Sequence, residues 1–593
     1  MADRDVRPVL RMPDLWRLLG PFRYRALAVL TLVMVDTILA SLGVGAVLPV
    51  LEAILDPAHH SAIVTRVVPS FDTLSSDARL LTLVFGTVAL YAARAGVALL
   101  TVSRSHRLLQ HVRAHWIDRI GTFYLCSPFG RVASRKQGEL LNDWFNETIS
   151  GTRFYQAQLA YITSLVLVLA LLILGLVVDW RAMLAMTVGG LAIGVIVRKT
   201  LYGRSATFST EKLRVNQGVS AAMVEDLANV REIKLMRAEA LRLAHLGDLA
   251  ARLGRILVRS AVIGEAPRIV SEFIAVALML SMVVLGSVVM NLPAETILPA
   301  VVFFSVAAYR LVTAASQMIG ARLKALNDLE SLRRVAEIVG SADERELLDR
   351  GEGVGRIDTD IVLRGINYES VAGVRVLVDV DAIIPRGRLT FLVGPSGSGK
   401  STLLDLLLRL IEPSAGSIEA NGRQISAFRL DQWRHMFGYV SQDAALFNGS
   451  IRMNLLLARP EATDAELLEA CRLAGAEVVL RMLPDGLDST VGDRGYSLSG
   501  GERKRIAIAR ALVGRPSVLI LDEATTSFEQ SLEYEMLSQL RAARPELTII
   551  QVTHRLQSIA CADWVIALEA GRVTAAGPPS QIAPSAVAQI ANT

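Results

Sequence analysis

The hydropathy pattern changes character once along the chain, near residue 320. Before that point six long apolar stretches recur, near 24–51, 79–103, 156–179, 182–202, 258–290 and 295–316. A helix needs about 20 apolar residues to cross the hydrocarbon core of a bilayer, and each stretch supplies that number or more. The third, "ITSLVLVLALLILGLVV", is the clearest. Two intervening segments, "SHRLLQHVRAHWIDRIGTFYL" and "NQGVSAAMVEDLANVREIKLMRAEALRLAHLGDLAARL", are polar yet keep apolar residues at helical spacing. The pattern predicts membrane helices that run on into water and meet in pairs at short turns. After residue 320 comes "ARLKALNDLESLRRVAEIVGS", a polar helix and connector. From about 356, short β-type runs ("RIDTDIVLRGI", "RVLVDVDAII", "LTFLVG") lead into alternating helices and strands. The expected class is therefore multi-domain. An all-α six-helix transmembrane domain over 1–320 with cytosolic helix extensions is followed by a linker over 321–355 and an α/β domain over 356–593.

Composition sharpens this reading. At 52% hydrophobic residues and a mean hydropathy of +0.42, the chain is too apolar for an ordinary soluble protein. The net charge of +5 is modest, but its placement orients the spans. The N-terminus carries Arg4, Arg7, Arg11, Arg17, Arg23 and Arg25; residues 104–153 carry eight Lys or Arg and residues 198–259 carry twelve. The remaining loops are poor in basic residues, so the N-terminus, both long polar segments and the C-terminal half are expected on the cytosolic side. The apolar stretch behind the basic N-terminus is too long for a cleaved signal peptide. Cys126, Cys471 and Cys561 have no metal or disulfide spacing and read as small buried hydrophobes.

The chemistry sits in the second half. "LTFLVGPSGSGKSTLLDLLLRL" is a strand, a Gly-rich loop and a helix with the spacing G-x-x-x-x-G-K-[ST]. Along Gly394, Pro395, Ser396, Gly397, Ser398, Gly399, Lys400, Ser401 and Thr402, backbone N–H groups would wrap phosphate oxygens. Lys400 would reach the β- and γ-phosphates, and the Ser401 hydroxyl would ligate Mg²⁺. "SVLILDEATTS" ends a buried strand in two acids: Asp522 would hold Mg²⁺ through water, and Glu523 would act as base on the attacking water. Gln442, on a loop after a strand, can ligate Mg²⁺ and sense the γ-phosphate. His554 closes the strand of "IIQVTHRLQSI" and can bond the γ-phosphate.

The order of these motifs, with "LSGGE" at 498–502 between them, resembles the nucleotide-binding domain of ATP-binding cassette transporters. "TVGDRGYSLSGGERKRIAIARAL" resembles the segment that exporters of this family place around their signature. "SPFGRVASRKQGELLND" and "VSAAMVEDLANVREIKLMRAE" look like their two coupling-helix regions. The resemblance implies an ATPase that needs ATP and Mg²⁺ and drives transport by alternating access. It also implies that Ser499, Gly500 and Gly501 complete the ATP site of a second chain. One phosphate loop and one signature then make half a machine, expected as a homodimer, with a paralogous partner as the alternative. Three positions depart from the family: Glu502 replaces the usual Gln, Glu529 stands for the usual Asp, and Ser370 occupies the place of the adenine-stacking aromatic. Tyr368 is left as the candidate stacking residue.

Cargo is the least determined expectation. Ionisable residues inside spans usually face a cavity or a partner. Here they are Asp36, Arg94, Glu265, Arg268, Glu272 and Arg310. Arg94, Arg268 and Arg310 could receive an anionic headgroup such as a pyrophosphate, although Glu265, Arg268 and Glu272 are spaced to neutralise one another. The first span loosely resembles that of lipid-linked oligosaccharide flippases. The expectation is outward flipping of an anionic lipid or lipid-linked glycan across a bacterial inner membrane, among membrane lipids and with no nucleic-acid partner. An exporter of hydrophobic drugs or peptides and an ATP-gated channel are the alternatives.

Overall fold

The computed structural model describes residues 16–55, 71, 74–133, 135, 137–178, 180, 183, 205–284, 294–341, 351–370, 373–491, 498–525, 528, 530–553, 559 and 561–582. The chain divides into two compact units, one holding 1–127 and 131–345 and the other including 346–593.

The first unit is helical. Its main elements are α1 (Arg23–Gly45), α2 (Ser76–Cys126), α3 (Gln137–Asn142), α4 (Thr148–Val178), α5 (Ser205–Ala228), α6 (Glu239–Val284) and α7 (Ala294–Ser341). Among the described residues three helices are long and apolar enough to cross a membrane, Gly20–Leu51, Ser76–Cys126 and Gln137–Val177, and they carry the first three predicted stretches. The fifth and sixth lie along α6 and α7. The fourth lies, apart from Met183, outside the described residues.

The 51-residue α2 is about 75 Å long at 1.5 Å per residue, against a hydrocarbon core of about 30 Å. More than half of it therefore stands in water, as the polar half of its sequence requires. Residues 321–341, expected as connector, continue α7 without a break. Packing follows apolar faces: Trp116, Phe154, Ala325, Leu332 and Val335, from α2, α4 and α7, form a buried cluster with Ala26, Val29 and Val33 of α1. Beside it the helix loosens into a π-turn at Asp143–Glu147 that points carboxylates inward. Asp143 is fully buried, accepts from the Tyr124 hydroxyl at 2.6 Å and is clasped by the Arg334 guanidinium at 2.7 and 3.2 Å. A buried carboxylate persists only when paired in this way.

The second unit is α/β. A four-stranded antiparallel sheet has the order β2–β1–β4–β5, from β1 (Ile361–Glu369), β2 (Arg375–Ile384), β4 (Ala415–Ala420) and β5 (Arg423–Gln424). A six-stranded sheet has the order β12–β11–β3–β10–β9–β6, from β3 (Leu389–Val393), β6 (Phe437–Val440), β9 (Val518–Asp522), β10 (Thr548–Val552), β11 (Trp564–Glu569) and β12 (Arg572–Gly577). All its neighbours are parallel except β11 and β12. A short antiparallel pair, β7 (Gly449–Ser450) and β8 (Thr490–Val491), stands apart from both sheets. Strands buried on both faces read as continuous apolar runs, which is why "LTFLV" and "VLILD" show no alternation. Alternate residues of β9 enter different cores, Leu519 and Leu521 one and Val518 and Ile520 the other.

Of the three cysteines only Cys471 is fully buried; Cys126 is half-buried and Cys561 exposed. The expectation of buried hydrophobes therefore holds for one of them. Cys561 lies three residues before β11.

Candidate nucleotide site

Parallel strands deliver their loops to one edge, and a ligand belongs at that carboxyl end. Here the register aligns the ends: Val552 pairs with Leu392 on one side and Asp522 on the other, and Val440 pairs with Leu521. The loop after β3, the acids ending β9, Gln442 after β6 and Thr553 after β10 therefore converge.

The loop from Gly394 to Gly399 leads into α8 (Lys400–Leu407). Its glycines are dictated by space. A Cβ on Gly394, at φ 153°, would stand 2.1 Å from the Leu568 carbonyl oxygen; one on Gly399, at φ 103°, would stand 2.6 Å from Leu377 Cδ2. Lys400 is 7% exposed, and its amine donates to the carbonyls of Gly394 at 2.7 Å and Pro395 at 2.8 Å. Burial lowers its pKa, and the charges of Glu523 and Asp522 oppose that shift. Ser396 and Gly397 are exposed, as is Ser401, whereas Ser398 is buried against the loop.

Burial also raises the pKa of Asp522, which accepts from the Tyr439 hydroxyl at 3.0 Å. A divalent cation would stabilise a carboxylate held in so dry a place. The hard oxygens of Ser401, Gln442 and Asp522 suit Mg²⁺ brought in by a nucleotide. Among the described residues no group of three His, Cys, Asp or Glu could hold a metal by itself.

Glu523 has left-handed backbone at φ 51°. Such geometry costs a non-glycine residue about 1–3 kcal/mol and recurs where a side chain must be aimed. The residue is pinned twice: Gln442 Nε2 donates to its carboxylate at 2.8 Å, and Lys504 Nζ donates to its main-chain carbonyl at 3.0 Å. Lys504 lies one turn into α9 (Gly500–Val513), the helix that begins at the signature. Ser499 caps that helix and Glu502 closes the box, its carboxylate accepting from the Ser499 N–H at 2.7 Å while the Ser499 hydroxyl accepts from the Glu502 N–H at 3.3 Å. Glu502 thus performs locally what the expected Gln would.

Sequence reasoning missed Tyr439, Lys504 and Asp405. Each reaches the site through tertiary packing, and only the strand and helix periods hinted at which faces would meet. Tyr368 packs against the core beneath β1, which leaves only part of its ring accessible, and Ser370 is held in a tight turn by Val374. Thr402 is half-buried behind the loop. His554 and Glu529 lie outside the described residues.

Residues 377–526 match the family described as ABC transporter, and residues 42–310 match the ABC transporter transmembrane region. An ATP-dependent lipid A-core flippase of Ralstonia nicotianae is 30% identical over 414 residues, covering 69% of this chain and 69% of that protein. An uncharacterized ABC transporter ATP-binding protein, y4gM of Sinorhizobium fredii, is 35% identical over 223 residues, and the match spans 38% of each chain. The solved structure of a bacterial Atm1-family ABC exporter with ATP bound has the same fold, with a TM-score of 0.77, 23% identity, and coverage of 94% of this chain and 96% of that one.

This geometry sets outcomes of two kinds, the first catalytic. Glu523→Gln is expected to slow ATP turnover about 10²–10⁴-fold with nucleotide binding intact. Lys504→Met is expected to lower kcat about 10-fold at unchanged KM, the order of one charged hydrogen bond, with Lys504→Arg restoring most of the rate. A raised KM at constant kcat would assign Lys504 to binding instead. The second concerns pH. Burial and the nearby Asp522 push Asp405, on α8, from 3.8 up to about 6. Below about pH 4 folded and unfolded chains both hold this proton. Between about 4 and 6 only the folded chain does, so stability falls through that window and stays reduced above it. In the full-length protein with EDTA, Asp405→Asn should raise the melting temperature of the ATPase unit more at pH 7.5 than at pH 5. An equal rise at both would contradict the shift.

Proposed function

The chain belongs to the ATP-binding cassette transporter family, with membrane and ATP-binding regions in one polypeptide, and from that premise we propose that it flips or exports an anionic lipid or lipid-linked glycan as a pair of identical chains. It is an ATPase coupled to export. The proposed setting is a bacterial inner membrane, with the N-terminus and the ATPase cytosolic.

The observation that supports pairing is the signature. A Cβ on Gly501 would meet nothing within 4 Å, and one on Gly500 only the Arg503 guanidinium at 3.9 Å. Glycine weakens a helix, and among the described residues nothing crowds these two positions. The missing side chains make sense if a phosphate on a second chain comes close. The turn after α5 points the same way: Leu227, Leu235 and Met236 are each about three-quarters exposed (77%, 76% and 76%), a surface that a second chain would cover. The similarity to a lipid A-core flippase supports a lipid cargo.

In this reading Lys400 and the loop would hold the β- and γ-phosphates, and Ser401, Gln442 and Asp522 would hold Mg²⁺, whose charge would offset that of the phosphates. Glu523 accepts a proton from the water that attacks the γ-phosphorus, the bond to the β-phosphate oxygen breaks, and ADP and phosphate leave. His554 would bond the γ-phosphate, as its place in the sequence suggests. Closure and release of the two ATPase units would tilt the long helices and alternate access.

The test is reconstitution in liposomes with fluorescent phosphatidylglycerol, phosphatidylcholine and a polyprenyl pyrophosphate. ATP should move the anionic lipids faster, and Glu523→Gln should move none. ATP hydrolysis stimulated by a hydrophobic drug, with no lipid moved, would replace the lipid by a drug cargo.

A further inference from the structure

Three arginines in the spans were expected to form a headgroup site. Arg94 of α2 stands 3.6 Å from Asp36 of α1, so an acid on another helix meets it. Arg310 is half-buried on α7, and Arg268 lies on α6 with its side chain outside the described residues. The ATPase unit hides polar groups more deeply, in a place that nucleotide contact does not explain.

β10 reads "TIIQV" and is buried along its whole length. Gln551 is 0% exposed and sits between Phe391 of β3 and Leu521 of β9, its register partners. Alternation along a strand puts its side chain on the same face as that of Ile549. That face belongs to the core that holds Leu519, Leu521, Met536, Leu537 and Leu540. The last three lie on α10 (Gln530–Ala543), whose first turn brings Glu533, 3% exposed, into the same core.

Gln551 Nε2 donates to Glu533 Oε1 and also, at 2.9 Å, to the Thr525 hydroxyl oxygen. The Thr525 hydroxyl in turn donates to the same Glu533 oxygen at 2.5 Å, and Thr525 is itself buried. One carboxylate oxygen thus gathers donors from the loop after β9 and from β10. The N-terminal end of α10 favours a negative charge in its first turn. Even so, a buried carboxylate and a buried amide are costly where apolar side chains would fill the core. A satisfied buried network repays that cost by holding one arrangement of the segments it joins.

The segment held here is the one that carries Glu523. Thr525 stands two residues past Glu523, and Gln551 two residues before Thr553, where β10 opens onto the site. Glu523 keeps left-handed backbone at φ 51°, a geometry that the flanking chain must enforce. On one side the ladder enforces it, with Asp522 paired to Val552. On the other side Thr525 is the tie.

Resting on Glu523 as the base, we propose that Glu533 and Gln551 are positioning residues for ATP hydrolysis. Acting through Thr525, they fasten the loop that carries Glu523 to β10 and hold its carboxylate where the attacking water stands. Both are sealed from solvent, so they act through the loop and not on the nucleotide. Misplacing a reacting group by about 1 Å can cost about 10²-fold in rate. The direction of the bonds makes a specific forecast. Glu533 accepts and Gln551 donates, so a second carboxylate at 551 repels the first, whereas exchanging the two residues again sets a donor against an acceptor.

The test measures ATP hydrolysis by the full-length protein in phosphatidylcholine nanodiscs, with binding of a fluorescent ATP analogue alongside. Gln551→Leu should lower kcat about tenfold at unchanged KM, the scale of one hydrogen bond to a charged group. Gln551→Glu should lower kcat further, and Glu533→Gln combined with Gln551→Glu should recover most of it, which a misfolded chain would not do. In a Glu523→Gln background, Gln551→Leu should slow the residual turnover no further, because groups that act as one unit are not additive. Unchanged kcat in both Gln551 variants, a raised KM at constant kcat, no recovery in the exchanged pair, or an equal loss in the Glu523→Gln background would each overturn the positioning role and leave the base standing. Wild-type turnover in Glu523→Gln alone would overturn the base and the positioning role together.

Discussion

Four ionisable groups are drawn into the dry carboxyl end of one parallel sheet, and the ATPase unit is arranged around keeping them there. Lys400, Asp405, Asp522 and Glu523 lie where β3 and β9 end, and burial moves the pKa values of the first three toward their neutral forms. Charge can stay in such a place only if each group has partners. The loop carbonyls take the Lys400 amine, Tyr439 supports Asp522, and Gln442 and Lys504 hold Glu523 from two sides. The phosphates of a nucleoside triphosphate beside the Lys400 amine and a divalent cation beside Asp522 would complete the neutralisation. Binding of ATP is then the step that relieves the electrostatic cost of the fold.

That cost links the site to the signature. Lys504 anchors to Glu523 from a helix whose first residues are Gly500 and Gly501. The same rigid element therefore aims the candidate base of one site and presents the small residues that would meet the phosphate of the proposed second chain. Coupling of this kind depends on a shared rigid helix and needs no long pathway. In the membrane unit the comparable device is the paired charge: Asp143 with Arg334, Lys212 with Asp328, Lys324 with Glu265. Each pair joins two elements, the last of them consecutive helices.

Much of this was legible in the residues. The apolar runs before and inside β3 and β9 marked buried strands, and the loop spacing with its Lys and Ser marked the phosphate site. What the sequence could not show was tertiary. Tyr439 looks like any strand aromatic until β6 is laid beside β9. Lys504 reads as one more basic residue in "ERKR" until its helix is set against the acid. Arg94 has no acid near it on its own helix, and Asp36 reaches it from another. Such pairs depend on helices packing together, and hydropathy along one helix holds no trace of them.

The central claim is that each ATP site is completed by the other chain, and one cross-linking measurement addresses it directly. In a cysteine-free Glu523→Gln background, one tagged chain carries Ser396→Cys in the exposed phosphate loop and a differently tagged chain carries Gly501→Cys, where a side chain has open space. Oxidation with ATP bound should yield a disulfide joining the two tags, and little without nucleotide. No disulfide between the tags with ATP bound, or an equal yield with and without nucleotide, would contradict the account.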